Sequence, residues 1–205
     1  MLNVVPANAV QDTALRELNI TLRGFAPTQS TQGLVDYAGE FDPAAPQLYG
    51  LFNDNRMPIF KNVFQVYSWD SLCGCKSGLV TEYPVSLISL ATSPGEVIRA
   101  PRSGYYIGQD FQSFVIYADT ERIALNYTRE ANPIRGYTIY IEGVAIDTRL
   151  LALYQQANSA GRNQLPALQS WQAVGRAKGN EILVAIRDAG AFMDPRSRKD
   201  WWHGR

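Results

Sequence analysis

The feature that most constrains this fold is a series of short apolar runs between Val85 and Arg187, each ended by Gly, Pro or an Asp-Thr-Glu turn. In a strand, successive side chains point to opposite faces, so apolar–polar alternation over five to eight residues describes a half-buried strand. Tyr137–Ile146 (YTIYIEGVAI) is the clearest case, rich in aromatic and β-branched residues. Val85–Ala91, Glu96–Arg99, Tyr105–Ile107, Ser113–Tyr117, Arg122–Thr128 and Glu181–Arg187 follow the same pattern, as do Leu18–Phe25 and Ile59–Trp69 upstream. From Ala26 to Arg56, Pro27, Pro43, Pro46 and the Asn53–Asn55 run predict loops. Residues 1–16 suggest a short helix or an ordered lead-in. One convincing helix is expected at about 148–160. Asp147 stands at its N-cap, Leu150, Leu153, Tyr154 and Ala157 recur at helical spacing, and Gly161 is placed to end it. The expected fold is mostly β, a barrel or sandwich of short antiparallel strands with that single helix. Residues 1–72 would be a β-rich extension packed on a main domain of residues 73–205, which ends in a basic, aromatic tail.

The charges balance, with 19 basic and 19 acidic residues, so no electrostatic footprint for nucleic acid is expected. No apolar run approaches the roughly 20 residues a membrane-spanning helix needs, so no membrane insertion is expected. The start, MLNVVPANAV, shows no basic segment followed by a long apolar stretch, and thus no visible signal peptide. Eleven Tyr, four Trp and 16 Gly in a charge-poor chain suit an extracellular β binding module. Cys73 and Cys75 flank one glycine. So small a loop does not favour an unstrained disulfide, and two thiolates alone make a poor zinc site, so they read as ordinary thiols.

From about Val85 to Pro195 the order of motifs resembles the lysostaphin-type zinc endopeptidases, which cut peptidoglycan cross-bridges. GEVIRAPRSG (Gly95–Gly104) looks like that family's hairpin, LLALYQQ (Leu150–Gln156) sits where its Y-x-H segment would be, and ILVAIRDAGAFMDP (Ile182–Pro195) matches its ending in spacing. The resemblance covers about half the chain. It implies a peptidase-like barrel with Val85 and Ser89 in place of the first His and Asp ligands. Leu183 would replace the last His, Glu181 a catalytic His, and Gln156 the Y-x-H histidine. A catalytic zinc needs about three protein ligands and an open water position. Aliphatic residues at two of these positions exclude that chemistry, so the resemblance implies a degenerate, non-catalytic relative.

No other catalytic constellation is complete. The sole histidine, His203, lies in the tail beside Trp201 and Trp202, and no G-x-S-x-G, P-loop or G-x-G-x-x-G occurs. Neither metal nor cofactor is expected. A carboxylate-based glycosidase would draw its pair from Glu130, Glu142, Asp147, Asp188 and Asp194. The aromatics are the stronger positive signal, because flat rings on a rigid β scaffold stack on the apolar faces of sugars while nearby polar groups bond the hydroxyls. Trp171, Trp201, Tyr105 and Tyr106, together with Glu142, are the candidate ligand-binding residues. The tail residues Arg196, Arg198, Lys199 and Asp200 would either clamp a ligand or lie over the domain with the indoles packed. Packing is favoured, since adjacent strand residues face opposite ways. The N-x-T sequons at Asn19 and Asn126 carry little weight. The expected function is non-catalytic binding in the cell envelope or outside the cell, with peptidoglycan or another glycan as ligand. The alternatives are a protein-interaction domain that regulates a partner and a glycoside hydrolase.

Overall fold

The computed structural model describes residues 2–3, 15–70 and 72–205, so the lead-in expected over residues 1–16 lies largely outside the described residues. In chain order the elements are β1 (Leu2–Asn3), α1 (Leu15–Leu18), α2 (Ile20–Arg23), β2 (Phe25–Pro27), β3 (Phe60–Asp70), β4 (Cys75–Leu79), β5 (Leu87–Ala91) and β6 (Val97–Arg99). Then come β7 (Phe111–Ala118), β8 (Arg122–Asn126), β9 (Tyr137–Glu142), β10 (Val144–Ile146) and α3 (Thr148–Ser159). The chain closes with β11 (Gln164–Leu165), β12 (Ala167–Gln169), β13 (Ala173–Ala177), β14 (Glu181–Asp188), β15 (Ala191–Met193) and α4 (Arg198–Trp201).

The fold is mostly β and antiparallel, as expected. Its main sheet runs β12-β7-β8-β9-β14-β5-β3-β2, with β15 added on β14 and β4 on β3. The sheet does not close, so the arrangement is sandwich-like rather than a barrel, with β10-β13-β6 forming a separate three-stranded sheet. The central strands are buried on both faces: Phe114 to Ala118 of β7, Ile123 to Asn126 of β8 and Ile182 and Val184 to Arg187 of β14. α3 forms where expected. Asp147 accepts the N–H groups of Arg149 and Leu150, and Leu150, Tyr154 and Ala157 face the core while Leu153 stays 40% exposed.

β3 pairs with β5 through Val63↔Ile88 and its neighbours, so the main sheet takes strands from both sides of residue 72. The structure corrects four expectations. Leu18–Phe25 is not one strand: it holds the end of α1 and all of α2, and only Phe25 at its end lies in a strand, opening β2. Asn19 caps α2 by accepting from Leu22 N–H, and the distant Glu142 carboxylate accepts from Ile20 and Thr21 N–H, so these polar partners override the alternation. Tyr105–Ile107 is irregular. Gly104 packs so tightly on Ala44 that a Cβ there would lie 2.8 Å from the Ala44 Cβ, and this contact carries the segment off the sheet. Tyr137–Ile146 is split at Gly143 (φ +85°), which sends β10 to the smaller sheet. Cys73 and Cys75 are joined in a disulfide, their Cα atoms 5.2 Å apart on the turn between β3 and β4, where Gly74 takes a left-handed conformation (φ +60°).

Candidate functional site

The site is built where the irregular segment after β2 crosses the end of the main sheet and is fastened there by the C-terminal tail. Val35 bridges Ser197, with Val35 N–H donating to the Arg196 carbonyl and Arg198 N–H donating to the Val35 carbonyl. Arg196 is 1% exposed and forks onto Asp194, with Nη2–Oδ2 2.6 Å and Nε–Oδ1 2.9 Å. Its Nη1 donates to Ser30 Oγ and the Thr31 carbonyl. Trp201 and Trp202 are fully packed, and their indole N–H groups donate to the carbonyls of Asp194 and Pro195 at 2.9 and 2.8 Å. The tail therefore packs, as favoured from sequence, and its arginine and tryptophans are part of the scaffold.

A cleft of about 460 Å³ opens between this fastened segment and the end of β14. Its rim carries Tyr37, Glu40, Phe41 and Asp42; Tyr137, Asp188, Met193 and Trp201 line the opposite side. Asp188 and Tyr137 are register partners on β14 and β9, so the sheet itself sets them side by side. The same two residues also line an adjoining hollow of about 200 Å³ with Tyr105, Tyr127, Thr128 and Gly136. Tyr37 stands edge-on to Tyr83 at 5.6 Å, and its hydroxyl donates to Asp194. Burial, followed by that hydrogen bond, pushes the Tyr37 phenol up to about 12.

Two carboxylates in this cleft are shifted in opposite directions. Asp42 accepts from Tyr105 Oη at 2.7 Å, Tyr137 Oη at 3.0 Å and Ala44 N–H at 2.8 Å. Partial burial pushes its pKa up, but these bonds outweigh the burial and hold the carboxyl below its usual range. Asp188 moves the other way. Desolvation and then the nearby Asp42 charge raise it, and only the Ala189 N–H opposes them. Tyr105 is raised by its bond to Asp42, and Tyr137 is raised by burial and then by the same carboxylate.

The structure places the candidate residues unequally. Tyr105 is 42% exposed and bonded into the site through Asp42, whereas Tyr106 is 66% exposed outside it. Trp201 borders the cleft but is 1% exposed, held edge-on by Tyr137 at 5.6 Å, and offers no open face. Trp171 lies elsewhere, its ring already met by the guanidinium carbons of Arg102 and Arg99 at 4.3 and 4.6 Å. Glu142 is buried and bonded to the start of α2, with Thr21 Oγ1 also donating to it, so its carboxylate anchors the N-terminal segment. Asn19 and Asn126, the two sequon asparagines, are 1% and 0% exposed. His203 packs its ring on Phe41 at 4.8 Å. Sequence reasoning missed Asp42, Tyr37, Phe41 and Tyr83. Only the position of the first three in a long loop, the part of a fold that most often carries function, could have singled them out.

Of the positions that the resemblance would set against zinc ligands, Ser89 and Leu183 are register partners on β5 and β14. Ser89 Oγ donates to Glu181 Oε2 at 2.7 Å and Val85 is fully buried, so these side chains do not form a zinc donor set. No protein-family model matches the chain, and no curated protein matches it. Among the described residues no helix is long and apolar enough to cross a membrane.

Proposed function

We propose that this chain is a non-catalytic binding domain acting in the cell envelope or outside the cell, and that its ligand is a glycan, with peptidoglycan foremost. The observation that carries this reading is the Tyr105–Asp42–Tyr137 arrangement at the junction of two hollows. The phenols hold one carboxylate ionised as a fixed acceptor for sugar hydroxyls, and Tyr37, Phe41 and Tyr137 offer ring surface beside it. A groove with two adjoining compartments suits successive sugar units. A degenerate lysostaphin-type ancestry remains part of the proposal. It is supported by the adjacency of positions 89 and 183, which the resemblance assigns to two ligands of one metal.

A second reading is favoured by one specific contrast. Asp188 is shifted up and Asp42 down within one cleft, which is how a glycosidase divides its acid from its nucleophile or base. Co-sedimentation with purified peptidoglycan and a panel of insoluble polysaccharides, with the supernatant assayed for released sugar, tests both. The binding reading expects retention on a polymer with no release, and at least tenfold weaker retention of Asp42→Asn. Release that disappears in Asp188→Asn would establish the hydrolase instead. No retention on any polymer would overturn both and favour a protein partner.

A further inference from the structure

We propose that the Cys73–Cys75 pair is a thiol–disulfide exchange site whose substrate is a polypeptide dithiol. The bridge encloses only Gly74. Both cysteines are exposed at the tip of the β3–β4 hairpin, and Leu72 beside them is 97% exposed. A Cβ built on Gly74 would meet nothing within 4 Å, so the outer side of the pair is open to an incoming thiolate.

The hairpin has other ties besides this bridge. Asp70 and Trp69 pair with Cys75 and Lys76 across the ladder, Ser68 Oγ donates to the Gly78 carbonyl at 2.9 Å, and Leu72 N–H donates to Asp70 Oδ1 at 2.8 Å. A disulfide that closes so short a loop also restrains the unfolded chain less than a longer loop would. What distinguishes the pair is therefore reactivity, because exposed disulfides exchange readily while buried structural ones resist reduction. In the exchange, a partner thiolate attacks one sulfur of the pair, and the Cys73–Cys75 bond breaks as a mixed disulfide forms. The partner's second thiolate then attacks that mixed disulfide and leaves as the oxidised partner. The two cysteine thiolates take up the two protons that the partner's thiols release. Two electrons pass from the partner to the pair, and an oxidised small-molecule disulfide reverses the step. Leu72 supplies an apolar contact for the partner chain.

The full chain equilibrated in buffers of varied reduced-to-oxidised glutathione ratio, then acid-quenched, alkylated and weighed, reads the state of the pair. The expected result is a complete passage from disulfide to dithiol within the accessible ratios, with Cys75→Ser accumulating a glutathione adduct at Cys73. A reduced dithiol peptide should be oxidised at least tenfold faster by the chain than by the Cys73→Ser/Cys75→Ser double variant. That double variant should unfold within about 3 °C of the parent. A pair that stays bonded at every ratio overturns the proposal, as do equal peptide oxidation rates or a larger fall in unfolding temperature, which would mark the bridge as a staple.

Discussion

The C-terminal tail and the cleft it borders hold the same kinds of side chain and use them in opposite ways. In the tail, the carboxylate of Asp194 receives a bidentate guanidinium, a phenol and a backbone N–H, and both indole N–H groups find carbonyls. Across the cleft, Asp42 is held by two phenols and the Ala44 N–H, with no cation bonded to it among the described residues, and Asp188 is raised by desolvation beside it. Buried polar groups that are fully paired hold a structure together. Polar groups kept in place but only partly paired remain available to a ligand. The contrast separates a clamp from a site.

The largest expected effect breaks the clamp. Arg196→Ala leaves the fully buried Asp194 carboxylate without its partner, which costs about 3–5 kcal/mol. It should lower the unfolding temperature by roughly 6–20 °C in a chain of this size, read by calorimetry. A loss within about 1 kcal/mol would mean that the tail is a peripheral strap. Next in size, Asp42→Asn should leave stability within about 0.5 kcal/mol, because the residue is only partly buried. It should nonetheless weaken retention on the bound polymer at least tenfold. A variant that unfolds with the clamp would instead place Asp42 in the scaffold.

The smallest effect depends on pH. Because the folded state raises Asp188, its charged form is disfavoured in the fold, so ionisation removes stability as pH climbs through its folded-state value. Asp188→Asn is therefore expected to gain a few tenths of a kcal/mol at neutral pH, and to lose that gain as the medium is acidified and Asp188 takes up its proton. Asp42, shifted down, contributes stability above its unfolded value that fades as pH falls through the folded one. Denaturant midpoints between pH 3 and 7 would show the two slopes. A gain for Asp188→Asn that persists at pH 3 would point to packing rather than charge.

Much of the architecture was legible in residue order. The long strand β3, the edges of β14 and the Asp147-capped helix all follow from local periodicity and capping chemistry, which a short window contains. Where local alternation misled, a distant partner intervened. Ile20–Arg23 folds as a helical turn because Glu142, more than a hundred residues away, accepts its first two N–H groups and Asn19 caps it. Trp171 and Trp201 share the chemistry of stacking residues, yet one is met by arginines and the other is sealed under the tail.

By itself the sequence determined the fold class and the position of α3, since these depend on residue type and short-range spacing. Only the tertiary structure decided that the sheet stays open and that β3 belongs to it. It also decided that Asp42 and Asp188 share a cleft with Tyr137. Pairings across 95 and 157 residues, such as Tyr137 with Asp42 and Tyr37 with Asp194, are set by how the whole chain buries its apolar surface, and no local pattern encodes them.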